Sequence, residues 1–357
     1  MKIAILGAGS IALASADVLA HAGHGVTVWS PSGASTAGLG ERFSLAFSGA
    51  ANGSAVVHAA SRIGAAIADS QVVVICVPAY GHKAVMEASA PHLTSNHVVL
   101  VMPMLSLTSL YLSRLLRARG VAAPIVSFGT TVMTARKKAA AEVQLLSIRS
   151  KLDLAALPVT YTGEAMRLAT ALFGERFSAQ SGTLAVSLVN VNPISHVPLA
   201  LANLTRIEKA EVWTQYDNMD GAVSKMIVAV DHERLAVAKA FGRTVRSIEE
   251  HFHYSFGVPM ADLGTQSRAV HEGVGSPRGP VSLDSRYFTE DVPYGLAFYA
   301  AMGRIVQVPT PCTDACIALA SAACGRDFAR ENAMIAALGL DRLCAADLTA
   351  LARDGYQ

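Results

Sequence analysis

His196, Arg286 and Asp291 are the side chains of this 357-residue chain whose types and settings suit them to carrying a reaction. His196 is one of 11 histidines and is set apart by its surroundings, Asn190-Val191-Asn192-Pro193-Ile194-Ser195-His196-Val197-Pro198, where prolines fix the backbone. A histidine titrates near neutrality and can carry a proton to or from a reacting atom; read alone, this one is also a satisfied core or helix-start histidine. The second constellation lies between Gly279 and Leu296 and contains Arg286-Tyr287-Phe288-Thr289-Glu290-Asp291 in a largely apolar half of the chain. By itself it is an Arg–Asp pair at a loop-to-helix junction. The planar guanidinium fork also suits bidentate capture of a carboxylate, which Lys would serve less well.

A third group of residues concerns a nucleotide. Gly7-Ala8-Gly9-Ser10-Ile11-Ala12 follows the first apolar run at once and opens a helical stretch, the context in which GxGxxA binds a dinucleotide. Gly7 permits the tight turn, Gly9 lets backbone approach a pyrophosphate, and Ala12 lets helix and strand pack closely. The N–H groups near Ser10 and Ile11 then face the phosphates at the positive end of the helix. The alternative is a glycine turn without a ligand. The second strand ends in Trp29-Ser30-Pro31-Ser32-Gly33, with no acid for a ribose 2′-hydroxyl. That favours NADP, with NAD as the alternative, and makes the Ser30 and Ser32 hydroxyls candidate contacts, although no Arg or Lys lies between Ser30 and Gly40 and the nearest is Arg42. Pro78, where a later strand halts, is a further cofactor-contact candidate. His251-x-His253 has no third ligand at sensible spacing, so no metal is expected.

Elements able to hold these groups follow from the hydrophobic pattern. Residues 1–180 alternate short β-branched runs with helical stretches, the mark of a parallel sheet covered on both faces. Strands are predicted at Lys2–Leu6, Gly25–Trp29, Val72–Val77, Val98–Met102 and Ala123–Phe128, and a helix at Ile11–Ala22. Val72-Val73-Val74-Ile75 lacks alternation, as a strand buried on both faces should. Residues 181–357 read as all-helical. Val223, Met226, Ile227 and Val230 fall at i, i+3, i+4 and i+7 of a long helix from Gly221 to Phe241, with further helices over Gly295–Val306, Thr313–Ala323 and Asp327–Leu338. The predicted fold is a doubly wound α/β Rossmann domain followed by an all-α domain, with a cleft between them.

Composition narrows the class. Net charge is +2 and charged residues make up 16%, which leaves no basic footprint for nucleic acid. A hydrophobic share of 52% and mean hydropathy of +0.38 raise the question of a membrane span. The longest uncharged apolar stretch is taken as Val98 to Leu112, interrupted by Pro103 and too short to cross a bilayer, so no membrane association is expected. Gly7 and Gly9 break the apolar start, which argues against a signal peptide. The five cysteines form no CxxC pair and read as free thiols of a reducing cytoplasm.

The GxGxxA segment, Asn190-x-Asn192-Pro193-x-x-His196, Arg286-Tyr287-Phe288-x-Glu290-Asp291 and Val308-Pro309-Thr310-Pro311 together resemble the octopine/nopaline (opine) dehydrogenase family, in particular its bacterial N-(1-carboxyethyl)-norvaline dehydrogenase type. The resemblance spans nearly the whole chain. It implies a Rossmann domain joined to an all-helical substrate and dimerisation domain like that of 6-phosphogluconate dehydrogenase, in an enzyme in which an amino acid condenses with an α-keto acid and NAD(P)H reduces the imine to a secondary amine dicarboxylate. It also implies that His196 is the catalytic histidine, Asp291 its carboxylate partner, and Arg286 the guanidinium that holds the keto-acid carboxylate. Some family members carry an acid where Ser30 stands. A homodimer is expected from the apolar helical half. Trp213, Tyr216 and the Phe252 region are candidates for amino-acid selection only by being aromatic. Two other readings stay open: a 2-hydroxy-acid or ketone reductase of the glycerol-3-phosphate dehydrogenase or ketopantoate reductase type, for which Lys209 and Lys225 lack the expected Lys-Asn setting, and a dinucleotide-sensing protein without chemistry.

Overall fold

A computed structural model describes residues 1–49 and 52–356 of the chain. The chain divides into two compact units, Met1–Ser187 with the stretch from Ala350 onward, and Leu188–Thr349.

The first unit is built on one sheet of strands β1 (Lys2–Leu6), β2 (Gly25–Trp29), β3 (Arg42–Gly49), β4 (Gly53–Ala59), β5 (Val72–Ile75), β6 (Val98–Val101), β7 (Ile125–Phe128), β8 (Met133–Ala139), β9 (Glu142–Ile148), β10 (Leu152–Leu157) and β11 (Phe177–Ala179). Their order is β11-β10-β7-β6-β5-β1-β2-β4-β3-β9-β8. The run β7-β6-β5-β1-β2-β4 is parallel, as the buried β-branched pattern predicts. Val73, Val74 and Ile75 are fully buried. Three antiparallel pairings extend this core beyond the expected parallel sheet: β3 with β4, β8 with β9, and β10 with β7. In β3 and β9 apolar positions alternate with exposed ones, Leu45 and Phe47 against Ser44 and Ala46, so each strand lacks the continuous apolar run that marks the core strands.

Helices α1 (Ser10–His21), α2 (Ile63–Ile67), α3 (Ala79–Ser89), α4 (Thr108–Arg117) and α5 (Thr162–Phe173) cover this sheet. Leu13, Ala16 and Leu19 of α1 are buried in the same core as Met133 of β8. Strand β8 runs along α1, with Ser15 Oγ 3.9 Å from Met133 Sδ and Ser10 Oγ accepting the Lys137 N–H at 3.0 Å.

The expected boundary after residue 180 differs from the one observed. Helix α6 (Thr183–Leu188) begins inside the first unit, where the Thr183 hydroxyl donates to the Ala352 carbonyl at 2.9 Å and Tyr356 N–H donates to Ser113 Oγ at 3.1 Å. These bonds carry the end of the chain back to the first unit.

The second unit holds α7 (Asn192–Ala202), α8 (Leu204–Glu208), α9 (Gly221–Ala240), α10 (Ile248–Phe256), α11 (Leu263–Val274), α12 (Arg286–Thr289), α13 (Ala297–Ile305), α14 (Pro311–Cys324), α15 (Ala333–Leu338) and α16 (Ala345–Asp354), the last running into the closing stretch of the first unit. Three expectations are corrected. The helix predicted from Gly295 starts as a wide π-helical turn, Asp291–Leu296, that leads into α13. The helix predicted from Asp327 starts only at Ala333, because Asn332 caps it by accepting the Met334 N–H at 2.9 Å. The buried stripe of α9 keeps Ile227 and Val230 as predicted but adds Ser224, Asp231 and Arg234, whereas Met226 is 40% exposed. The longest uncharged apolar stretch is also not the expected one. Thr183–Ala202 is longer, but it is broken between α6 and α7 and 83% of its most apolar window is buried inside the protein, the behaviour of core helices.

Candidate active site

His196 sits on α7, whose start is set by local chemistry. Asn190 Oδ1 accepts the Asn192 N–H at 3.0 Å, Pro193 occupies the first turn where its missing N–H costs nothing, and Ser195 Oγ donates to Val191 O at 2.9 Å. Asn190 O in turn accepts the Tyr299 hydroxyl at 2.6 Å, which ties this entry to α13. Across from α7, the π-helical turn begins with Asp291. His196 Nδ1 lies 2.8 Å from Asp291 Oδ2, and both side chains are buried. A carboxylate only accepts, so Nδ1–H is the donor of this bond. Tyr287 stacks on the imidazole with ring centroids 3.9 Å apart and planes within 3°. The ring is thus fixed at one edge by charge and over one face by an aromatic.

Gly295 explains the close approach of these two elements. A Cβ there would lie 2.2 Å from Pro193 Cγ, so any side chain would push the turn carrying Asp291 away from the start of α7. Tyr287 and Gly295 each act through a neighbour about a hundred residues earlier that no local spacing marks.

Arg286 opens α12. The next two residues, Tyr287 and Phe288, point inward and are buried, while Arg286 itself is exposed. Surrounding protein would lower its pKa, but Asp291, Glu290 and Tyr287 outweigh that and hold it above its ordinary value. The same segment therefore anchors an aromatic over the imidazole and offers a guanidinium to solvent.

In the first unit the glycine loop has the geometry its sequence predicts. Gly7 has φ +145° and donates its N–H to Trp29 O at 2.8 Å, and a Cβ there would lie 2.1 Å from Cys76 O. A Cβ on Gly9 would meet nothing within 4 Å, which leaves the open face a pyrophosphate needs. Gly9 is the N-cap of α1 and supplies no side-chain cap, so the first-turn N–H groups around Ser10 and Ile11 are suited to an anion. Ala12 is buried against the turn. Ser30 is buried at the end of β2, Ser32 is exposed with its Oγ accepting the Ala34 N–H at 3.3 Å, and exposed Pro78 precedes α3. Beside the ends of β2 and β4 lies a cavity of about 380 Å³ whose lining includes Thr36, Glu41, His58 and Ser61. Lys137 reaches the loop from β8, with Nζ 2.7 Å from Ser35 O and 3.3 Å from Ala8 O. Its distance in sequence hid it.

Other candidates fall elsewhere. Trp213 is buried, donates Nε1–H to Pro280 O at 3.0 Å, and leaves room only for glycine at 279. Tyr216 packs edge-on against Phe252 and Phe256. Lys209 and Lys225 are exposed. His253 Nδ1 is 2.7 Å from Val258 O, and among the described residues no group of three or more metal-ligating side chains gathers.

Residues 179–324 match the family model for the NAD/NADP octopine/nopaline dehydrogenase alpha-helical domain, and residues 3–157 match that of ketopantoate reductase PanE/ApbA. The chain is 32% identical over 294 residues to an opine dehydrogenase of Arthrobacter sp. (strain 1C), covering 81% of this chain and 80% of that protein. Octopine dehydrogenase solved with NADH and L-arginine has the same fold, with a TM-score of 0.78 at 20% identity over 100% of this chain and 99% of that one. Yersinopine dehydrogenase solved with NADP⁺ superimposes with a TM-score of 0.74 at 16% identity over 99% and 98%. Fold and relatives together define an NAD(P)-dependent oxidoreductase with a Rossmann unit and a helical unit. The chain belongs to the opine dehydrogenase family, and its reaction is the NAD(P)H-dependent reductive condensation of an amino acid with an α-keto acid.

Proposed function

We propose that His196 is the proton carrier of this condensation, that Asp291 orients and polarises it, and that Arg286 receives the carboxylate of the keto acid. The observation that carries the reading is the buried 2.8 Å bond between His196 Nδ1 and Asp291, with Tyr287 stacked on the ring. The amino group adds to the keto carbon and water leaves, giving an imine. Its carbon accepts hydride far more readily once the nitrogen is protonated. Reduced nicotinamide supplies the hydride when the dinucleotide is bound. His196 donates from Nε2, and the Asp291 carboxylate favours the imidazolium that precedes the transfer. The Arg286 fork matches both oxygens of a carboxylate and holds the reacting carbon in one orientation. The product is a secondary amine dicarboxylate, and in the reverse direction His196 takes the proton back.

For the cofactor we assign NADP, with NAD as the alternative, because Ser30 stands where an acid would repel a 2′-phosphate. Gly7, Gly9, Ser10, Ile11 and Ala12 form the pyrophosphate seat, and Ser30, Ser32 and Pro78 are its flanking contacts. The helical unit is assigned to substrate binding and to homodimer formation in the cytoplasm; exposed Val212, Met260, Val274 and Leu319 support the dimer alone. Light scattering that finds only monomer removes the dimer.

The test is an NADPH- and NADH-oxidation screen of α-keto acids crossed with amino acids. Oxidation is expected only when both substrates are present. Oxidation with a keto acid alone favours the ketopantoate-type reductase to which the first unit is also similar, and cofactor binding without turnover across a broad panel sinks the catalytic reading.

A further inference from the structure

The loop after β2, which meets the adenosine ribose in a dinucleotide fold, contains no Lys or Arg between Ser30 and Gly40. Strand β8 brings a cation there from far along the chain. Its two-residue period turns Met133 and Lys137 to the same side, toward α1, while the flanking Arg136 and Lys138 are exposed. The backbone N–H of Lys137 is fixed by Ser10 Oγ at the start of α1. Its Nζ bridges Ser35 O on the ribose side and Ala8 O in the glycine loop.

Both of these partners are neutral carbonyls. An ammonium has three N–H donors, so the bridge leaves a third, and no carboxylate among the described residues forms an ion pair with it. Half-buried, the ammonium sits where removal from water lowers its pKa, the state of a cation lacking its counter-charge. An anion arriving at the third donor would supply that charge. The pyrophosphate is served by the N–H groups of α1, so the anion that reaches the Ser35 side is the one on the ribose.

We propose that Lys137 recognises the 2′-phosphate of NADP(H) and sets the dinucleotide preference of the enzyme; this rests on the NADP reading above. Glu41, which lines the cavity beside Ser61 and His58, stays on the other side of that preference as the carboxylate available to ribose hydroxyls.

The experiment is calorimetric titration of the full chain, wild type and the variants Lys137→Met, Lys137→Gln and Lys137→Arg, with NADPH, NADH, adenosine 2′,5′-bisphosphate and 5′-AMP. Wild type is expected to bind the 2′,5′-bisphosphate more tightly than 5′-AMP. Lys137→Met and Lys137→Gln should lose about 10- to 100-fold in affinity for NADPH and the bisphosphate while NADH and 5′-AMP stay within about twofold, and Lys137→Arg should keep most of the NADPH affinity. Retained NADH binding is also the check that the variants fold. Equal loss of NADH and NADPH, no loss of either, or a wild type indifferent to the 2′-phosphate overturns the proposal while dinucleotide binding stands. A wild type that binds neither dinucleotide overturns the cofactor reading itself, and this inference with it.

Discussion

Replacing Asp291 by Asn tests the chemistry most directly, because the change keeps shape and removes one charge. The carboxylate is buried and lies 2.8 Å from His196 Nδ1. Two unit charges with centres about 4 Å apart attract by about 4 kcal/mol at an effective dielectric constant near 20. The amide keeps part of this as a neutral hydrogen bond, so about 2 to 4 kcal/mol of support for the imidazolium is lost, or about 30- to 1000-fold in the step that transfers its proton. Stopped-flow single turnovers of NADPH oxidation read that step without interference from product release. The hydride-transfer rate should fall by this factor, while the keto-acid KM moves little because Arg286 is untouched. A rate within about threefold of wild type would refute the pairing of charge and proton transfer.

Three further outcomes follow from the structure. Arg286→Lys replaces a fork by a point charge and should raise the keto-acid KM by about 10- to 100-fold with the amino-acid KM nearly unchanged, as steady-state kinetics would read. Asp17 on α1 is pushed up from the ordinary 3.8 to about 6 by burial, with His21 pulling part of the way back. The folded state holds that proton more tightly than the unfolded state, so stability falls as pH rises from about 4 to about 6 and stays lower above it. Asp17→Asn should therefore raise the melting temperature at pH 7, by about 2 to 3 kcal/mol of stability, and the difference should vanish below pH 4. Arg234 is fully buried and bonds Asp231, Leu188 O and Arg246 O, so Arg234→Ala leaves Asp231 an uncompensated buried charge and should cost about 3 to 5 kcal/mol in denaturant unfolding.

Much of the architecture was legible because it is written locally. Lys2–Leu6 and Gly25–Trp29 are strands to the residue, and the glycine loop between them has the φ and the close contact at Gly7 that its motif requires. The residue types at 196, 286 and 291 pointed to a proton carrier, an anion fork and a carboxylate. What stayed hidden depends on distant partners. The ring of Tyr287 over His196, the vacancy at Gly295 that admits Pro193, and the reach of Lys137 to Ser35 each join segments about a hundred residues apart. The outer strands β3 and β9 were missed for another reason. With one face polar, β3 and β9 share their alternation with ordinary surface loops. The stripe of α9 was only half read, Ile227 and Val230, because its buried side also includes Asp231 and Arg234, which pattern reading assigns to solvent.

The bonds from Thr183 to Ala352 and from Ser113 to Tyr356 make the helical unit an insertion within the first. A gene fragment stopped at codon 187 encodes the sheet without its closing segment, leaving the buried Thr183 hydroxyl and the Ser113 side chain without those partners. A loop joining residue 187 directly to 350 would restore them. Excision with religation, rather than truncation, is therefore the route to a self-standing nucleotide-binding module.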